Sequence, residues 1–258
     1  MCELLGIVAK RKIRANDILR EFYSHAEAHP HGWGLALFPD GGVPFIEKES
    51  VKATASEYLR RRLEAPIEER LLLAHIRLAT VGDQETANCH PFTATDNEGR
   101  TWTLVHNGTI FDGAKLNAYL GLQYGSTDSE RVLLRLVDCV NERQIRLGRA
   151  LDADERFDVM ERFVAELATG NKLNLLVYDG ERLYAHSNFR GSLHVRDDGE
   201  SLVFSTRPLA GEGWRPLPFT RVVAAKDGEI VRVGEPHGHE YIYNPDDYRF
   251  LYVDFSSL

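Results

Sequence analysis

Apolar residues along the chain come in two spacings, short unbroken runs and helical stripes, and their order predicts strands at both ends with helices between them. Cys2 to Ala9 is a short apolar run, the mark of a buried strand. Asn16 to Ala28 carries Ile18, Leu19, Phe22, Tyr23 and Ala26 at helical spacing, with Asn16 or Asp17 available as a cap. Trp33 to Phe38 and Val43 to Glu47 flank Pro39-Asp40-Gly41-Gly42, a hairpin signal. Thr54 to Leu63 reads as a helix. Leu71 to Ile76 is continuously apolar and reads as a central strand, with Thr101 to Val105 as its neighbour.

The spacing predicts its clearest helix over 128–146, with Leu133, Leu136, Val137 and Val140 along one side. Thr127 and Glu130 stand at its start with the spacing of a capping box. Phe157 to Leu167 follows as another helix. After Asn171 the pattern becomes strand-like, punctuated by Asp179-Gly180, Asp198-Gly199 and Asp227-Gly228. This order implies an α+β chain of stacked sheets covered by helices, within a single domain over 1–258.

Composition narrows the function. The chain has 258 residues, 43% hydrophobic and 27% charged, enough to build a core without disulfides or metal. A net charge of −8 argues against a surface that tracks phosphates, so no nucleic-acid partner is expected. The basic clusters Lys10-Arg11-Lys12 and Arg60-Arg61-Arg62 each read as a solvated helix face or loop. Cys2, Cys89 and Cys139 form no close pair, which favours a reducing compartment. The N-terminus lacks the order of a signal peptide, and no apolar run approaches a membrane span. A soluble, cytoplasmic protein without a membrane partner is the expectation.

Four clusters carry candidate chemistry. Removal of Met1 would make Cys2 N-terminal, placing a thiol and an α-amine on one residue. With reference pKa values of about 8.5 and 7.7–8.0, the neutral amine can take the thiol proton. The bland alternative is a small residue opening a strand. In His75-Ile76-Arg77-Leu78-Ala79-Thr80-Val81-Gly82, Arg77 offers a two-pronged donor to a carboxylate, Thr80 adds a hydroxyl and Gly82 permits a tight turn. The alternative for Arg77 is a structural ion pair. Asn88-Cys89-His90-Pro91 is followed by His106-Asn107-Gly108-Thr109, where a side-chain amide and a glycine N–H can serve one oxyanion. Asn-Gly is equally a common turn. Within Ser126-Thr127-Asp128-Ser129-Glu130, Asp128 is either a counter-charge for an ammonium or ordinary helix-start chemistry. A zinc site from His75, His90, His106 and Cys89 has suitable residue types but none of the usual ligand spacings.

Taken in order, Cys2, H-x-R-x-A-T-x-G, N-x-H-P, H-N-G and T-D-S-E resemble the glutaminase domain of class II glutamine amidotransferases over residues 1 to about 135. Asn171 to Gly180 (NKLNLLVYDG) and Ser205 to Leu209 (STRPL) fit its later strands. The likeness is closest to stand-alone members, similar to the amidohydrolases of glutathione degradation and ergothioneine synthesis. It implies an αββα sandwich of two stacked, mainly antiparallel sheets, the N-terminal-nucleophile hydrolase fold. It implies Cys2 as nucleophile with its own amine as base, Asn107 and Gly108 as the oxyanion hole, and Arg77, Thr80 and Asp128 as substrate-binding residues. The implied reaction cleaves a γ-glutamyl amide, glutamine or a conjugate, through a thioester, with no cofactor and no metal. Ammonia transfer would need a separate accepting or peptidase subunit. The chain departs from many relatives in having Leu78 and Val81 where they carry Trp and His. A catalytically silent γ-glutamyl-binding or partner-supporting module is the alternative.

Overall fold

The computed structural model describes residues 2–39 and 42–246. The chain runs β1 (Glu3–Arg14), α1 (Asn16–Ser24), β2 (Trp33–Leu37), β3 (Phe45–Glu49), α2 (Glu57–Glu64) and β4 (Glu68–Ile76). After a long loop come β5 (Phe92–Thr95), β6 (Thr101–Thr109), α3 (Asp128–Leu147) and α4 (Ala153–Ala168). Strands β7 (Lys172–Tyr178), β8 (Leu183–His186), β9 (His194–Asp197), β10 (Ser201–Ser205), β11 (Trp214–Pro216), β12 (Val222–Lys226) and β13 (Glu229–Val233) follow. They form a seven-stranded sheet, β11-β9-β10-β1-β4-β2-β3, and a six-stranded sheet, β13-β12-β8-β7-β6-β5. Neighbouring strands are antiparallel throughout.

The alternation of side chains along each strand builds three apolar layers. On the outer face of the first sheet, Leu5, Ile7, Leu35, Leu72 and Ala74 pack under Leu19 and Phe22 of α1 and Leu59 and Leu63 of α2. Between the sheets, Leu4 and Val8 of β1 and Leu71 and Leu73 of β4 meet Val105 of β6 and Leu176 of β7. On the outer face of the second sheet, Trp102, Leu104, Leu173 and Leu175 lie under Leu133 and Leu136 of α3 and Phe157 and Met160 of α4. The result is the expected αββα sandwich. Strands buried on both faces explain the unbroken apolar runs in the sequence.

Several sequence expectations need correction. Thr101 to Val105 is not the neighbour of Leu71 to Ile76, because β6 belongs to the opposite sheet and β4 pairs with β1 and β2. Strand β1 continues past Ala9 to Arg14, with Ile13 opposite Glu69 and Arg14 opposite Glu68. Lys10, Arg11 and Lys12 on it pair with Glu229, Glu200 and Glu69, so the basic cluster is a solvated strand face. Arg60, Arg61 and Arg62 likewise pair with glutamates. Neither Asn16 nor Asp17 caps α1, whose N-cap is Ala15. The buried Asn16 amide instead donates to the carbonyls of Leu63 and Ala65 and accepts from the Ile67 N–H, tying α1 to the turn before β4.

The hairpin of β2 and β3 forms as expected, although Asp40 and Gly41 of its turn lie outside the described residues. Thr127 caps α3 through the Glu130 N–H, but the box is half-formed: the Glu130 carboxylate accepts from the N–H groups of Tyr124 and Gly125. A complete capping box starts α4 instead, between Asp152 and Glu155. No helix among the described residues is long and apolar enough to cross a membrane.

Candidate active site at one end of the cleft between the sheets

Even-numbered residues of β1 face the opposite sheet, which turns half-buried Cys2 toward the cleft just before the first paired residue, Glu3. The Leu78 N–H donates to Cys2 Sγ at 3.3 Å, and the thiol lies 3.3 Å from the Leu78 carbonyl it donates to. Burial pushes the thiol up from its ordinary value, while the Leu78 N–H and the charges of Arg77 and Lys172 pull it down.

Arg77 follows β4 directly and is 2% exposed. Its guanidinium donates to the carbonyls of Asp83 (2.9 Å), Val81 (3.1 Å) and Gly82 (2.9 Å), so the loop after β4 wraps around it. Gly82 sits at φ +81°, which a side chain would resist, as expected for a tight turn. Thr80 is half-buried in the same loop. The loop is braced by Asn88, which donates to the Asp83 carbonyl and to Ser126 Oγ and accepts from the Ser126 N–H. Ser126 and Thr127 lead into α3, so Arg77 and Asp128 are brought to the same flank.

Asn107 and Gly108 are not a turn. Both lie in β6, paired with Asn174 and Leu173 of β7. The Asn107 amide donates to Thr206 Oγ1 at 3.4 Å, and the same hydroxyl accepts from the Leu4 N–H at 3.0 Å. Thr206 therefore joins the Asn107 amide of one sheet to the Cys2 strand of the other. Gly108 is required sterically, because a Cβ there would lie 2.0 Å from the Lys172 carbonyl oxygen. Asp128 is buried at the start of α3, where it accepts from the Ile110 N–H just past β6 at 3.0 Å and from Ser129 Oγ.

The three histidines near this end stay neutral at pH 7. Burial pushes His75 down to about 3, His90 well below its ordinary value, and His106 down as well. His75 Nε2 meets the His106 carbonyl at 3.1 Å, its ring lies 4.1 Å from that of His90, and His106 Nδ1 meets Ser129 Oγ. The Cys89 thiol donates to the carbonyls of Glu49 and Glu85 instead of joining them. Among the described residues no group of three or more His, Cys, Asp or Glu is arranged to hold a metal ion.

The cleft end thus gathers Cys2, Arg77, Asn107, Gly108 and Asp128, with Thr80 in the enclosing loop. Sequence reasoning did not single out the loop brace at Asn88, the bridge at Thr206 or the buried Lys172. Asn88 and Thr206 sat inside motifs already recognised. Lys172 had its own signal, a lysine opening an otherwise apolar strand.

One substitution separates the two possible duties of Arg77. Arg77→Lys keeps the charge but cannot span three carbonyls. If Arg77 also takes a substrate carboxylate, KM should rise at least about tenfold for substrates with a free α-carboxylate and much less for their α-carboxamides. Equal losses on both, with a lower melting temperature, would leave it a loop clamp alone.

Comparison with known proteins agrees with this geometry. A family model described as glutamine amidotransferases class-II matches residues 1–198. A protein of Methanocaldococcus jannaschii is 30% identical across 90% of this chain and 71% of its own length. A Haemophilus influenzae protein provisionally named a glutamine amidotransferase is 25% identical across 92% of this chain and 88% of its own. The solved glutamine phosphoribosylpyrophosphate amidotransferase from B. subtilis superposes with a TM-score of 0.65 at 16% identity, covering 92% of this chain and 49% of that one, a likeness of fold. With the αββα sandwich in place and most of its length matched, the chain belongs to the class II glutamine amidotransferases.

Proposed function

We propose that the protein is an N-terminal-nucleophile amidohydrolase that cleaves a γ-glutamyl amide through a thioester on Cys2, releasing glutamate and ammonia or an amine. The observation that carries this reading is the Thr206 bridge, which holds the Asn107 amide beside the strand that bears Cys2. With Met1 removed, the Cys2 α-amine takes the thiol proton and the thiolate attacks the γ-carbonyl. The oxyanion is held by the Asn107 amide and the Gly108 N–H. Collapse expels the amine, which leaves with the proton from the α-ammonium. Water, deprotonated by the Cys2 α-amine, then attacks the thioester, and collapse of the second oxyanion breaks the C–S bond, releasing glutamate and the Cys2 thiolate, which takes back the proton. Arg77 and Thr80 receive the substrate α-carboxylate, and Asp128 receives the α-ammonium. This chemistry uses no cofactor.

The test is a panel of γ-glutamyl amides assayed for glutamate release, with intact mass measured on the same preparation. Glutamate should appear from at least one member, from chains lacking Met1. Full activity from chains that retain Met1 would remove the α-amine as base. Binding of γ-glutamyl compounds without any turnover would make the protein a silent recognition module.

A further inference from the structure

Lys172 opens β7 at 1% exposure, in a strand whose seven residues are all buried. An ammonium held away from water depends on the groups around it. Alternation along β7 puts Lys172 with Asn174, Leu176 and Tyr178 on the face toward the cleft, where Leu176 and Tyr178 pack between the sheets. Cys2 reaches the same cleft from β1 in line with Leu4 and Val8. In sheet order β7 lies beside β6 on the side away from β5, and β1 lies beside β4 on the side away from β2. Lys172 therefore stands across from Cys2, on the flank opposite to Arg77 and Asp128.

The Lys172 ammonium lies 5.0 Å from the Phe189 ring centroid, and its field reaches the Cys2 sulfur. Among the described residues, Cys2 from β1, Arg77 from the end of β4 and His106 from β6 face this region, and the charge of the chain's α-amine also acts on the thiol. His106 is kept neutral by burial, and Arg77 directs its terminal nitrogens at loop carbonyls. Burial pushes Lys172 down to about 8, so at neutral pH it still carries most of its charge.

We propose that Lys172 is a positioning residue for the nucleophile, its ammonium stabilising the Cys2 thiolate across the cleft without itself exchanging a proton. The inference rests on the reading of Cys2 as nucleophile, yet it can be tested without a substrate. The rate of alkylation of Cys2 by iodoacetamide is followed against pH by peptide mass spectrometry, in Met1-free wild type, Lys172→Met and Lys172→Arg. Removing a cation that faces the thiol across the cleft should raise its apparent pKa by roughly half a unit to one unit and slow alkylation at pH 7 about three- to tenfold. Lys172→Arg should stay within about twofold of wild type, because it keeps the charge. Should Lys172→Met not fold, Lys172→Gln serves as the uncharged variant, with its melting temperature recorded. An alkylation profile that does not move in the uncharged variant overturns the proposal, even if glutamate release falls. A wild type that alkylates with the expected lysine dependence but releases no glutamate would instead overturn the amidohydrolase reading alone.

Discussion

Cys2→Ala is expected to abolish glutamate release, by a factor on the order of 10⁶ if it behaves like other lost nucleophiles. The fold should survive, because Cys2 precedes the first paired residue of β1 and is only half-buried. Circular dichroism and the melting temperature should stay near wild type. The electrophilic glutamine analogue 6-diazo-5-oxo-norleucine should add to Cys2 and to no other cysteine. Cys89 is fully buried with its thiol raised by burial, and burial pushes Cys139 up to about 11, so both are mostly protonated at neutral pH. Cys2 is raised as well, but it alone would carry a neighbouring amine to take its proton. Adduct found on Cys89 or Cys139 would move the nucleophile and with it the mechanism.

The second large effect is expected at Asn107. Loss of one oxyanion donor typically lowers kcat by about 10²–10³, or roughly 3–4 kcal/mol. Asn107→Ala should lower kcat and kcat/KM together, since the contact strengthens only as charge develops on the oxygen. The fold offers a further check, because the Asn107 amide also meets Thr206 Oγ1, whose stronger bond is to the Leu4 N–H. That second bond survives the substitution, so the strand carrying Cys2 should keep its place and alkylation of Cys2 should change little. A rise in KM at constant kcat would make Asn107 a ground-state contact and send the search for the oxyanion donors elsewhere.

Much of this molecule was legible from residue order because local chemistry writes itself locally. Apolar runs and helical stripes marked the strands and helices, Asp-Gly pairs marked the turns from β7 to β8 and from β12 to β13, and Thr127 marked the start of α3. The motif order from Cys2 to Asp128 pointed to the family for the same reason: the chemistry proposed for Cys2, Arg77, Asn107 and Gly108 depends on residue type.

Which sheet a strand joins was not legible. A strand buried on both faces carries no mark of its neighbours, so β6 looked like a partner of β4 when it lies across the cleft from it. Nor could residue type show that Asn16 serves the turn before β4 in place of its own helix, or that the Arg77 guanidinium is wrapped by carbonyls of residues 81–83. Those contacts join residues far apart in the chain, or depend on a loop's path, and only packing selects among the many partners a polar side chain could take. The same holds for Thr206 and Lys172, which lie far along the chain from Cys2. Pairing of β10 with β1 brings Thr206 to the Cys2 end of the cleft within one sheet, and stacking the second sheet on the first brings Lys172 there. Alternation turns every second side chain inward, and sheet order decides which of them meet.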